Sequence, residues 1–162
     1  MHKTMVWGVS MLGMAMVLAT PLGAESETPW GRASLDAIDY APQKVVYDVA
    51  EGDPERFDRI LDRVSFLNNL YGADPFDASI VLVLHGGEID FFAVENYEEH
   101  GELMRRAQSL TLAGPIEFRM CQAAAQARGY ASEDIHGFVR LVPMADAEII
   151  RLQQEEGHVF MQ

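Results

Sequence analysis

The stretch from Ala78 to Leu84 reads Ala-Ser-Ile-Val-Leu-Val-Leu, a run of branched apolar residues with no polar alternation. A strand of this kind is buried on both faces, which is the situation of a parallel sheet held between two layers of helices. It ends in His85-Gly86-Gly87. In open α/β sheets ligands bind at the carboxyl ends of the strands, and glycines there permit close approach of backbone to a bound group. Gly86 and Gly87 are therefore candidate binding residues, together with His85. The stretch is not a phosphate loop, because no Gly-Lys-Ser/Thr follows.

The flanking segments supply the other elements of such a sheet. Lys44 to Val49 is a β-branched and aromatic strand. Asp53 then caps a helix with Pro54 at its first position, and Phe57, Ile60, Leu61, Val64, Leu67 and Tyr71 recur at helical spacing. Asn68-Asn69 near its end read as surface and capping residues. Ile89 to Val94 is a loop or helical turn covering the mouth of the preceding strand, and Asn96 opens a helix to Leu112. Gly114-Pro115 breaks the chain before a third strand, Ile116 to Met120. A helix starts at or just after Cys121, is built on Ala123, Ala124, Ala125 and Ala127, and ends at Gly129. Ser132 to Asp134 begins a turn, Gly137 to Val142 forms a fourth strand, Pro143 to Glu156 a last helix, and His158 to Met161 a fifth strand. This alternation predicts an α/β fold: a three-layer α/β/α sandwich around a five-stranded, mainly parallel sheet with right-handed crossovers.

The domain so defined occupies residues 44–162. Before it, residues 1–24 have the layout of a secretory signal peptide: a weakly basic start, an uncharged apolar run from Met5 to Leu18, and small residues before a break after Ala24. The run falls short of the roughly 20 residues of a spanning helix, so an uncleaved anchor is the second choice. The layout implies export, in the simplest case to a bacterial periplasm. Residues 25–43 carry neither period and read as a linker, with Trp30 or Tyr40 as docking residues if it is not a mobile tail. Without the first 24 residues the chain holds 11 basic and 25 acidic residues, a net charge of −14. That balance argues against nucleic acid or anionic lipid as a partner.

Cys121 is the only cysteine, so no internal disulfide forms and no Cys-x-x-Cys exchange site exists. It falls at a strand-to-helix turn on the ligand edge, where helix N–H groups favour a thiolate; the competing reading is a small buried core residue. His85 lies at the same edge of the preceding strand, able to bond the thiol or a bound group if the strands are neighbours, or else to anchor its loop. Glu88 and Glu117 are candidate acid/base groups, with solvated acids as the default. His100, His136 and His158 lack metal-ligand spacing, and no serine nucleophile elbow is present. No metal or cofactor is expected.

Lys44 to Val49, Asn68-Asn69, Val-Leu-Val-Leu-His-Gly-Gly, the strand leading into Cys121, Val142-Pro143 and the Ile149 to Gly157 stretch together resemble the DsrE/DsrF-like family, in its exported single-domain branch. The chain departs from that family's usual pattern just after the cysteine, where Gln122-Ala123-Ala124-Ala125 stands, and after Val142-Pro143, where Met144-Ala145-Asp146 stands. The resemblance implies the three-layer fold, assembly as a trimer or hexamer, and sulfur relay with a persulfide carried on Cys121 and His85 near the pocket. A sulfur donor or acceptor protein is the implied partner. The expectation is thus a periplasmic sulfur-relay or sulfane-sulfur-binding protein, more a carrier than a complete enzyme. The alternative is a non-catalytic oligomeric binding or scaffolding domain in which Cys121 is structural.

Overall fold

The computed structural model describes residues 29–112 and 114–162. The signal peptide expected at residues 1–24 lies outside the described residues. The chain divides into two compact units, Met1–Ala37 and Ile38–Gln162. The described part of the first is a turn followed by chain without regular structure, with Trp30 and Leu35 exposed.

Among the described residues, the second unit holds the regular structure: β1 (Gln43–Val49), α1 (Pro54–Leu70), β2 (Ala78–Leu84), α2 (Tyr97–Leu112), β3 (Ile116–Cys121), α3 (Gln122–Ala127), β4 (Val139–Val142), α4 (Ala145–Glu155) and β5 (Val159–Met161). Three 3-10 segments, at Gly87–Phe92, Val94–Asn96 and Ser132–Asp134, join them. The sheet order is β4-β3-β2-β1-β5, and every strand pairing is parallel. The unbroken apolar run of β2 thus occupies the central position, where only a strand apolar on both faces fits.

Side-chain alternation along the strands divides the core in two. Val45, Tyr47 and Val49 of β1, Ile80, Leu82 and Leu84 of β2, and Ile116, Phe118 and Met120 of β3 face α1 and α2. The other faces of the same strands, with Val46, Val81, Val83 and Cys121, pack on Ala145, Ile149 and Leu152 of α4. The two helical layers with the sheet between them make the three-layer sandwich.

The helices form where their local chemistry starts them. Asp53 sits in extended backbone, and its carboxylate accepts the N–H groups of Glu55 at 2.9 Å and Arg56 at 3.1 Å. Pro54 follows in the first turn, where no N–H is needed. Phe57, Leu61 and Val64 then bury one stripe of α1. The Ile89–Val94 stretch forms the helical turn expected there, in 3-10 form, but its apolar side chains do not cover the strand mouth. Ile89, Phe91 and Phe92 turn into the core beneath α1 and α2, and Phe92 meets the rings of Phe57 and Phe118 at 5.6 Å each. Apolar residues so placed stabilise more by joining the core than by shielding a ligand edge. Asn96 does not cap α2 either; its amide donates to the carbonyl of Asp90.

Candidate functional site

The carboxyl ends of β1, β2 and β3 bring three chemistry-bearing residues onto the α4 face of the sheet. Cys121 ends β3 and packs in the apolar cluster beneath α4. Leu84 is the Cα partner of Met120, so the next residue, His85, stands level with Cys121 on the neighbouring strand. The His85 N–H continues the ladder to the Val49 carbonyl at 3.1 Å. Its imidazole Nε2 lies 2.6 Å from Oδ1 of Asp48 on β1, with both side chains about one-third exposed. Asp48, His85 and Cys121 thus stand on three adjacent strands, with Asp48 level with Val83, two residues before His85. Strands stand about 4.8 Å apart, so His85 is the natural neighbour of the thiol. The structure nonetheless contains no hydrogen bond between them.

Asp48 was not singled out by the sequence argument. Its signal is visible afterwards: it is the acidic member of Lys-Val-Val-Tyr-Asp-Val, placed on the face opposite Tyr47 and Val49. Only the strand order shows which side chain it meets.

Cys121 is 5 % exposed. It belongs to the apolar cluster that also holds Val46, Val81, Val83, Ala145, Ile149 and Leu152. It occupies the N-cap position of α3, but its side chain makes no capping hydrogen bond, and that helix spans only six residues. The expected steadying of the sulfur by helix N–H groups is absent.

Gly86 and Gly87 are used by the chain itself. A Cβ on Gly86 would stand 2.5 Å from the Cα of Ala50, and one on Gly87 would stand 2.5 Å from the Cα of Gly52. The room the glycines leave, expected for a ligand, is taken by the backbone of the β1–α1 loop. Glu88 fastens the same junction. It is fully buried, and its carboxylate accepts the N–H of Glu51 at 2.7 Å and that of Gly86 at 2.8 Å. Burial pushes its carboxyl up from the ordinary value, against those two N–H groups. Its geometry is that of a loop clamp.

Glu117 is half exposed and pairs with Arg119 at 2.9 Å. Arg119 itself is buried and also binds Glu148 of α4. His100 packs against the ring of Phe91 at 4.8 Å. His136 lies between Tyr97 and Phe138, and burial lowers its pKa. Among the described residues, no three His, Cys, Asp or Glu groups cluster to hold a metal ion. No helix among them is long and apolar enough to cross a membrane.

The fold and edge define an α/β/α sandwich with an all-parallel five-stranded sheet. The sequence profile of the DsrE/DsrF-like family matches residues 45–161, and the chain belongs to that family. Among solved structures it is similar to a protein of unknown function from Methanobacterium thermoautotrophicum, at 19 % identity and a TM-score of 0.57, over 74 % of this chain and 97 % of that one. That likeness shows the fold. No curated protein matches the chain.

Proposed function

We propose that this protein handles sulfane sulfur, with Cys121 as the atom that receives it. The observation that carries the reading is the placement of the single cysteine of a DsrE/DsrF-like chain at the carboxyl edge of β3, level with an aspartate-held histidine. The step is a simple exchange. The Cys121 thiolate attacks the outer sulfur of a donor persulfide, the donor's S–S bond breaks, and the donor leaves as a thiolate. Cys121 is left as a persulfide that keeps the transferred proton. His85, held by Asp48, takes the thiol proton beforehand. The burial of Cys121 makes sulfur loading conditional on movement of α4, which suits a carrier that must keep a labile persulfide from water.

The test is intact-mass measurement after incubation with a persulfide or polysulfide donor. The expected result is a gain of one sulfur atom, absent from Cys121→Ser. No adduct, or one that survives the substitution, refutes the proposal. Export is part of this reading and rests on the apolar run from Met5 to Leu18. Fractionation of cells expressing the full chain tests it, and a cytoplasmic, uncleaved product overturns it.

A second reading has its own observation. Cys121 is enclosed by apolar side chains, while Phe66, Leu70, Val159 and Phe160 are exposed. This is the pattern of an oligomeric binding or scaffolding domain with a structural cysteine. Thiol labelling separates the two: a purely structural cysteine reacts only after unfolding, whereas a carrier's reacts in the native protein.

A further inference from the structure

The opposite edge of the sheet carries a second constellation. Val45 is the Cα partner of Val159, and Lys44 is that of Ser79. One residue before β5 stands His158, so Ser79, Lys44 and His158 form a row across β2, β1 and the entry to β5, on the α4 face. His158 is 4 % exposed. Its ring is held at both nitrogens. Nδ1 lies 3.2 Å from the carbonyl oxygen of Leu152 in α4, and Nε2 lies 3.1 Å from Oγ of Ser79. A carbonyl can only accept, so Nδ1 carries the proton and Nε2 is the free base. The Ser79 hydroxyl therefore donates to Nε2. The carboxylate of Glu156 stands 3.9 Å from Nδ1, where it would stabilise an imidazolium. Ser79 and Lys44 line a cavity of about 130 Å³, together with Gln43, Pro75, Phe76 and Asp77.

A nucleophile bonded to a base, with the base oriented by a third group, is the arrangement that activates a hydroxyl. We propose that Ser79 is an activated nucleophile that accepts a short acyl group from an activated ester or thioester. Oγ attacks the acyl carbon as its proton passes to Nε2 of His158. The carbon–leaving-group bond then breaks, and the departing alkoxide or thiolate takes that proton. No electrons are exchanged with a third party. Lys44 supplies the positive charge for the developing oxyanion. The cavity has room for an acyl chain of a few heavy atoms. This site shares no residue with the Asp48, His85 and Cys121 group, so its nucleophile can be removed without touching the sulfur-bearing one.

The neutral state that the base requires is favoured by the surroundings. Burial lowers the pKa of His158, and the charges of Lys44 on β1 and Arg119 on β3 add to this. The Leu152 carbonyl and Glu156 oppose it.

The test uses the full chain with a fluorophosphonate probe and with 4-nitrophenyl acetate, read by intact mass and peptide mapping. The expected result is an adduct on Ser79 that is lost in Ser79→Ala and retained in Cys121→Ser. His158→Gln slows labelling on the order of 10²-fold. Should that variant fail to fold, the native protein decides: its labelling rate rises with pH and levels off, with an inflection below the ordinary imidazole value of about 6.5. No adduct, an adduct elsewhere, an undiminished rate in folded His158→Gln, or a rate that climbs with hydroxide without levelling overturns the proposal. Sulfur loading in Ser79→Ala is expected to equal that of the native chain, so failure of one site is read separately from failure of the other.

Discussion

Glu148→Gln is the substitution with the most to say about how Cys121 is covered. Glu148 projects from α4 and accepts from Arg151 at 2.8 Å and 3.0 Å, as well as from the buried Arg119 of β3. Hydrogen bonds from Arg151 and then Arg119 hold its carboxyl at about 2 instead of 4.5. That displacement corresponds to about 3 kcal/mol of linkage. The Arg151 side is 36 % exposed, and solvent screening there reduces the figure to about 2 kcal/mol. The glutamine keeps the shape and an acceptor oxygen but leaves Glu117 as the one carboxylate paired with Arg119. Urea denaturation at pH 7 should show a loss of about 2 kcal/mol. The folded carboxyl is depressed, so its contribution is present above the unfolded value of 4.5 and fades as pH falls toward about 2. The gap between the native chain and the variant should close over that range, because glutamine does not titrate. Cys121 labelling at pH 7 should also quicken, by about 30-fold if α4 lifts as a unit, since 2 kcal/mol lowers the opening cost by that factor. A gap that is the same at both pH extremes refutes the electrostatic reasoning, and an unchanged labelling rate refutes the idea that α4 gates the thiol.

Gly86→Ala should cost about 1–3 kcal/mol in the same denaturation assay, because its Cβ would meet the Cα of Ala50 at 2.5 Å and the Glu88 carboxylate at 2.8 Å; an unchanged midpoint would show that the two loops part easily. Sedimentation should give the mass of an oligomer, with the exposed apolar groups of α1 and β5 at its contacts. Phe66→Asp and Phe160→Asp should then shift the mass toward the monomer, and a native chain that sediments as a monomer rules that assembly out.

The fold was legible in sequence because its strongest signals are local. The unbroken β2 run demands two covering layers, and Asp53-Pro54 followed by Phe57, Leu61 and Val64 declares a helix without reference to anything distant. The sites were legible only in part. Cys121 and His85 could be placed on one edge because strand ends follow from the element order. That the thiol is buried follows from α4 crossing back over the sheet, a long-range event that no window near Cys121 records. Gly86 and Gly87 looked like room for a ligand because a glycine shows only that a side chain is absent. What fills the space, here the Ala50–Gly52 backbone, belongs to a loop more than 30 residues earlier. Asp48 with His85, and Ser79 with His158, are pairs set by strand order and by the helix that returns the chain to β5.

Both edges depend on that same helix. Ala145 and Ile149 near the start of α4 share the apolar cluster of Cys121, and the Leu152 carbonyl one turn further on orients His158. The Arg119–Glu148 pair pins the helix between them. α4 is held by that ion pair in its first turns as well as by Ala145, Ile149 and Leu152, and its own backbone hydrogen bonds keep it stiff, so breaking the pair should loosen both of its ends together. The two chemistries should therefore respond to Glu148→Gln with opposite signs: the thiol gains access as its cover lifts, while Ser79 loses a base whose ring is no longer fixed. Independent loosening of the two ends would change one without the other. Opposed changes of similar size would mean that α4 is a rigid lever resting on Arg119, and that the chain cannot open its sulfur-bearing edge without disarming the other.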